Sequence, residues 1–488
     1  MRLSRRQFAA AALAGGSLAA IAPAALAKET LPGWQIGFRN APAGGFRPSV
    51  MERIAGRAPA GLEGALYRNG PAHFSYGKDF QGHWFDGDGM VQRIAIEAGH
   101  AVHSGRFMQT SKRVAEQAAG RFLAPGFGTA GDPDYGVMSP DDVSAANTSI
   151  LPIGGKMYAL WEAGSAMEFD GESLETIGPR HWRDDLKGMP FLAHPKVEPG
   201  GRVWNLAVSG RMVGIYDIAP TGKLNRFAMV DMPMASYVHD WAMTERHLLI
   251  LCQPWVMTRN RPPIVNSLEW QPEQGLIVLV VSKDELEIQR SVQCPPRAFF
   301  HTGSAFEEAD GTIRLDAAFY AEPVLGSGGG TNLMRGEYAE EDDLKSEFAQ
   351  LVLPPKSDGY LVSSGGEGEF PQIHPAFSGQ GHSLTVYASG AVPGRPIATG
   401  LTLTDWTAGT NETFGFGADQ MVEEHLFIPK PGGKSEREAW IIGTTLNIRA
   451  QASEVHVFDA SAIGDGPVVS WRARHAWPLG FHGAFVSA

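Results

Sequence analysis

Glycine and proline cut this chain into short apolar runs, and that punctuation constrains its fold more than any other feature. The 59 glycines and 33 prolines among 488 residues fall between segments such as Val203-Trp-Asn-Leu-Ala-Val208, Met212 to Ile218, His247 to Cys252, Leu276 to Val281 and Ile313 to Tyr320. Apolar runs of this length, bounded by Gly, Pro, Asn and Asp, predict strands in antiparallel meanders. From residue 148 onward they recur with no helix between them. Many four-stranded units of this kind predict an all-β protein built as a β-propeller, with a pair of β-sandwich domains as the alternative. At 43% apolar residues the chain can bury one large core or two to three ordinary ones.

Charge narrows the partners. With 41 basic and 53 acidic residues the net charge is −12, which gives no basic stripe for displacing counterions from nucleic acid. At the N-terminus, Ser4-Arg5-Arg6-Gln7-Phe8 precedes the apolar run Ala9 to Leu26, and Ala25-Leu26-Ala27 forms a small-x-small cleavage pattern. This predicts a twin-arginine signal peptide over residues 1–27 and a single mature domain over 28–488, exported folded by the twin-arginine machinery to the periplasm. An ordinary signal peptide or short anchor is the alternative. No other apolar run reaches the roughly 20 residues that cross a bilayer. Cys252 and Cys294 are the only cysteines, which excludes a disulfide framework or a Cys-rich metal site. An oxidising compartment would permit one bridge; two buried thiols are the simpler expectation.

Ser111 to Phe122 is the best helix candidate, with Ser111 as its cap and Val114, Ala118 and Phe122 as its apolar stripe. Leu123-Ala-Pro-Gly-Phe127 ends it. Such an excursion packs onto a β scaffold as part of a cover, or leans on a membrane as a peripheral contact. Asp86-Gly87-Asp88-Gly89 begins like a calcium loop but lacks the later ligands, so a tight hairpin is expected there.

Four histidines stand in like settings: Ala193-His194-Pro195, Tyr237-Val238-His239-Asp240, Phe299-Phe300-His301-Thr302 and Gly480-Phe481-His482-Gly483. Each alone would serve as a satisfied core histidine. His194 and His239 are 45 residues apart, close to one propeller blade of about 40–45 residues, and the next gap of 62 is a blade plus an insertion. One imidazole from each of several blades would assemble a four-nitrogen metal site.

In order along the chain come Leu62–Pro71, Trp84-Phe-Asp-Gly-Asp-Gly-Met90, Ala146-Asn-Thr148, Ala159-Leu-Trp-Glu162, Ala193-His-Pro195, His239-Asp-Trp-Ala-Met-Thr244, Phe300-His301, Glu369-Phe-Pro371, Glu424-His-Leu-Phe-Ile-Pro429 and Gly480-Phe-His-Gly483. Together these resemble the carotenoid cleavage oxygenases, over nearly the whole chain from Leu62. The resemblance implies a seven-bladed propeller with a loop and helix cover over the face that bears non-haem Fe(2+), held by His194, His239, His301 and His482. It further implies that Glu162, Glu369 and Glu424 accept the far ring N–H of three of these, and that the methyl of Thr148 crowds one open metal position. A one-residue slip would exchange Glu424 with Glu423. Four imidazoles without a carboxylate suit Fe(II) better than catalytic zinc, which usually takes three protein ligands.

The activity so implied is scission of a C=C bond by O2 into two carbonyl products, on a small apolar alkene. Trp161, Trp241, Phe300, Phe370 and Phe481 are expected to line the substrate tunnel. Some relatives cut stilbenoids or phenylpropenoids and grip the phenol with a Lys directly before the first glutamate. Trp161 stands there in this chain, which favours an apocarotenoid-like polyene. The alternatives are a stilbenoid or phenylpropenoid cleaver and an inactive propeller that binds lipids or partners. His374, His382, His425 and His475 match no ligand position, and neither a G-x-S-x-G elbow nor a complete dinucleotide fingerprint is present.

Overall fold

The computed structural model describes residues 32–323, 329–340, 343 and 345–488; the expected leader lies outside them. Seven antiparallel sheets follow one another in Gly33–Ala488 and form a seven-bladed β-propeller. Five blades are consecutive four-stranded meanders over residues 149–180, 196–231, 242–294, 298–366 and 368–415. The last two each recruit N-terminal strands. Glu52–Gly56 completes the sheet of residues 420–472, and Gly483–Ser487 pairs with Gly64–Pro71 in the final blade. Both ends of the described chain therefore share sheets with strands from the other end, which closes the ring.

The expected strands form within a residue or two of their expected limits: Val203–Ser209, Met212–Ile218, His247–Cys252, Leu276–Ser282 and Ile313–Tyr320. Gly210, at φ +60°, turns the first two into a hairpin. Core side chains fill the wedges between neighbouring blades, as where Leu206 and Ile215 meet Leu248 and Ile250. No helix among the described residues is long and apolar enough to cross a membrane. Cys252 and Cys294 are both free and buried, and burial pushes each thiol up to about 12.

The helix, α1, spans Ser111–Ala119, and its cap is Thr110, whose side chain accepts the Arg113 N–H. The expected apolar stripe is on the wrong side: Val114 is 53% exposed, while Lys112, Arg113 and Glu116 are buried. Lys112 and Arg113 reach Asp88 at 2.7 and 2.9 Å, and a buried carboxylate outcompetes two methyl-rich side chains for that face. The expected hairpin at Asp86-Gly87-Asp88 is a 3-10 turn over Trp84–Asp86, and both carboxylates are engaged by protein donors.

Candidate metal centre

The innermost strands of the blades ring the axis, and each brings one site residue or its neighbour to it. Thr148 precedes Ser149–Ile153, His194 precedes Lys196–Val197, His239 precedes Ala242–Met243, and His301 lies within Ala298–Glu307. Glu369 lies in Gly368–Gln372, Glu424 in Gln420–Pro429, and His482 precedes Gly483–Ser487. Regular pairing would point such residues along the strand faces, but three of these strands are bulged at the site. The register shifts between Phe299 and Thr302, between Glu369 and Gln372, and between Val422 and His425. A bulge re-aims the extra residue, here His301, Phe370 and Glu424. Phe370 sits at φ +58° and Ala146 at +46°, left-handed conformations that bulky or β-carbon-bearing residues seldom adopt.

His194, His239, His301 and His482 converge, with one ring nitrogen from each within 4.8 Å of all the others. The Nε2 atoms of His194 and His239 are 3.1 Å apart, those of His239 and His301 3.2 Å, and those of His301 and His482 3.1 Å. Three of the Nδ1 atoms face carboxylates: His239 to Glu162, His301 to Glu369 at 2.6 Å and His482 to Glu424 at 2.8 Å. A carboxylate only accepts, so each of these Nδ1 atoms carries the proton and each Nε2 presents a lone pair. Lone pairs converging at 3.1–3.2 Å repel unless a cation lies between them. As an octahedral edge, that spacing corresponds to a metal–nitrogen bond of about 2.2 Å, within tolerance of metal–imidazole bonds. The donor set fits a transition metal.

The surrounding charge agrees. Glu162, Glu369 and Glu424 lie against the imidazoles, and Asp240 stands 4.0 Å from His194 Nδ1. Arg68 pairs with Glu424 at 2.9 Å and Lys196 with Asp240 at 2.7 Å. With Glu423, which also faces Arg68 at 3.6 Å, five carboxylates against two cations leave an excess of negative charge, which a bound cation offsets. Burial lowers His482 to about 4, and burial with the neighbouring imidazoles takes His194 well below its ordinary value. For His301 burial pulls the same way, but the charge and hydrogen bond of Glu369 outweigh it and raise the pKa.

Glu424, not Glu423, is the partner of His482; Glu423 turns to Thr444 and the Gly480 N–H. Four partners carried no expectation from sequence. Arg68 and Gln372 both hold Glu424, at 2.9 Å each, Tyr237 donates to Glu162, and Tyr320 donates to Glu369 at 2.5 Å. Burial and the adjacent carboxylate push both tyrosines well above their ordinary range, so they stay protonated donors. Tyr237 was within reach, two residues before His239; Tyr320 meets Glu369 from the preceding blade, 49 positions away, and Arg68 meets Glu424 only through the closed ring.

A cavity of about 760 Å3 opens above the cluster. Thr148 lines it, with its hydroxyl donated to Asn147 at 3.0 Å, as do Trp161, Phe300, Phe370 and Phe481. Trp241 does not. It is fully buried between two blades with Trp204 and Leu248, because the bend at His239 breaks the two-residue alternation that would have faced it inward. The cover is made by loops and by helix α2, Gly329–Arg335, whose Leu333 reaches the cavity; α1 packs behind it. His374, His382, His425 and His475 stay outside the cluster, and His382 pairs with Asp316.

Residues 42–487 match the family described as retinal pigment epithelial membrane protein. The chain belongs to this family, that of the carotenoid cleavage oxygenases. This carotenoid cleavage oxygenase is 28% identical to the apocarotenoid-15,15'-oxygenase of Synechocystis over 465 residues, covering 89% of this chain and 93% of that one. It is 24% identical to resveratrol cleavage oxygenase 1 of Aspergillus fumigatus, covering 89% and 91%. The crystal structure of cobalt-substituted Synechocystis ACO superposes with a TM-score of 0.83 at 23% identity, over 93% of this chain and 98% of that one. The seven-bladed fold is shared throughout.

Proposed function

We propose that this carotenoid cleavage oxygenase binds Fe(2+) through His194, His239, His301 and His482 and cleaves a C=C bond of an apocarotenoid-like polyene with O2, giving two carbonyl products. One observation carries the reading: four imidazole nitrogens converge beneath a mostly apolar, aromatic cavity that three of the four rings line. His194, His239, His301 and His482 would hold Fe(2+) as neutral imidazoles, and the bound ion would supply the redox chemistry that makes O2 reactive toward an alkene.

The chain's own residues do the rest. Glu162, Glu369 and Glu424 hold three imidazoles in one tautomer and orientation. Phe300, Phe370 and Phe481 exclude water and flank the position of the double bond. With its hydroxyl turned to Asn147, Thr148 offers its methyl to the cavity and narrows one approach to the metal. No side chain has to act as nucleophile or general base.

Lining residues support a polyene over a phenol. Among the described residues the cavity wall includes no lysine, and the Tyr237 hydroxyl is already committed to Glu162. Incubating Fe(II)-loaded protein with an apocarotenal and, separately, with resveratrol tests this: aldehydes from the apocarotenal support it, and aldehydes from the stilbene alone overturn it. The exposed pair Val137 and Met138 at the cavity wall suits entry of an apolar ligand from a membrane surface. Export through the twin-arginine route rests on Arg5-Arg6 and Ala25-Leu26-Ala27; Lys in place of both arginines should hold the protein in the cytoplasm.

A further inference from the structure

The turn Trp84–Asp86 lies between the metal corner and the cover, and it is tied to both. On one side Asn147, next to Thr148, donates to the carbonyls of Phe85 and Gly87 at 2.8 and 2.7 Å. On the other, Asp86 gives both carboxylate oxygens to the cover loop. Oδ1 accepts the Phe127 N–H at 2.6 Å, and Oδ2 accepts the Gly128 N–H at 3.0 Å and the Thr129 hydroxyl at 2.7 Å. Asp86 is 5% exposed, and among the described residues no cation pairs with it.

What the carboxylate holds is a wall of the substrate cavity. The Phe127 ring stands 5.4 Å from Phe85 and 5.9 Å from Tyr237, and Phe85 in turn packs on Phe300 and Phe481 over the metal cluster. Val265 N–H donates to Phe127 O at 2.9 Å and Ile264 N–H to Gly126 O at 3.2 Å, so a second cavity loop rides on the first. The approach is close enough to demand glycine: a Cβ at Gly126 would lie 2.4 Å from Asp86 Oδ1.

We infer that Asp86 is a positioning residue that fixes the Phe127 loop over the metal and thereby sets which double bond of the substrate is cut. This rests on the alkene-cleaving reading above. The second aspartate of the turn, Asp88, anchors α1 through Lys112 and Arg113, and Glu116 of that helix holds the Leu123 and Ala124 N–H groups where the loop begins. The Asp-Gly-Asp turn is thus a two-handed clamp on the cover, a use its likeness to a calcium loop conceals.

The test compares Asp86→Asn, Thr129→Val and Gly126→Ala with the wild type in the full, metal-loaded protein. In Asp86→Asn an amide N–H2 must face one of the loop's donors; the other two disturb the same contact from the loop side. Expected in each are unchanged metal content, faster hydrogen exchange at the Phe127 and Gly128 amides, a rise in KM larger than the fall in kcat, and a second pair of carbonyl products from a neighbouring double bond. Misplacement of a wall by ~1 Å is on the scale that costs ~100-fold in kcat/KM. Unchanged exchange, or wild-type KM with a single cleavage site, would overturn the inference. Loss of metal in all three would assign Asp86 to the metal site instead and equally overturn it. If the wild type cuts no alkene, the functional reading fails while exchange and metal content still decide what Asp86 holds; should Asp86→Asn not fold, the two loop variants carry the test.

Discussion

Glutamine in place of Glu369 and of Glu424 is one chemical change made in two different sockets, and the sockets predict different costs. Glu369 Oε2 accepts His301 Nδ1–H and the Phe370 N–H, while Oε1 accepts the Tyr320 hydroxyl. A glutamine can leave its oxygen toward His301 and turn its amide to Tyr320, whose hydroxyl can also accept. Only charge assistance is lost, on the order of 1.5–3 kcal/mol, or about 10–100-fold in metal affinity. Glu424 has no such escape. Oε1 takes His482 Nδ1–H and Gln372 Nε2, and Oε2 takes Arg68 Nη1 and the Gly483 N–H, so the new amide must point at obligate donors. Arg68 loses its close ion-pair partner as well and keeps the Phe481 carbonyl at 3.1 Å and Glu423 at 3.6 Å, a buried cation left short of charge at roughly 3–5 kcal/mol. Competition against a chelator measures metal affinity, and urea unfolding of the apo forms measures stability. Glu369→Gln should lose affinity with stability little changed, and Glu424→Gln should lose both. Equal effects in the two variants, or a Glu424→Gln apoprotein as stable as wild type, would refute the reasoning.

Three further outcomes follow from the same coordinates. His301→Ala should lower iron content sharply and leave the β-rich far-UV circular dichroism intact, because the ring sits on the axis of a preformed propeller; full iron content would remove His301 from the ligand set. Trp241→Ala should cost about 3–5 kcal/mol of stability in urea titration as a core cavity, while the folded protein keeps wild-type KM and metal content. Acidification should displace the metal first through His301, whose pKa is raised by Glu369 while His482 falls to about 4 and His194 lower than usual. Protons therefore compete below the His301 value and not above it, at about tenfold in affinity per pH unit. Calorimetry in buffers of different ionisation heat should find about one proton released per ion below the raised His301 value and none well above it.

How far the sequence carries depends on what each residue's neighbours are. Strands were legible because glycine and proline mark their ends, and the four clustered histidines because each stands beside such a strand in a motif of its own. Arg68 and Tyr320 were not, since Arg68 meets Glu424 across 356 positions and only ring closure brings them together. The α1 face was misjudged for a related reason: its partner Asp88 lies 24 residues upstream, invisible to helical periodicity, and it draws the charged side chains inward. Trp241 misled because alternation assumes a regular strand, and the chain bends at His239. The bulges at His301, Phe370 and Glu424 have no local signature beyond Pro371, yet they aim the site.

Diffraction from Fe(II)-reconstituted crystals on either side of the iron absorption edge tests the four-imidazole centre most directly. A single iron peak should lie about 2.2 Å from Nε2 of His194, His239, His301 and His482, a usual metal–imidazole length. A peak bound by fewer of these four rings, or none at the point where they meet, would contradict it.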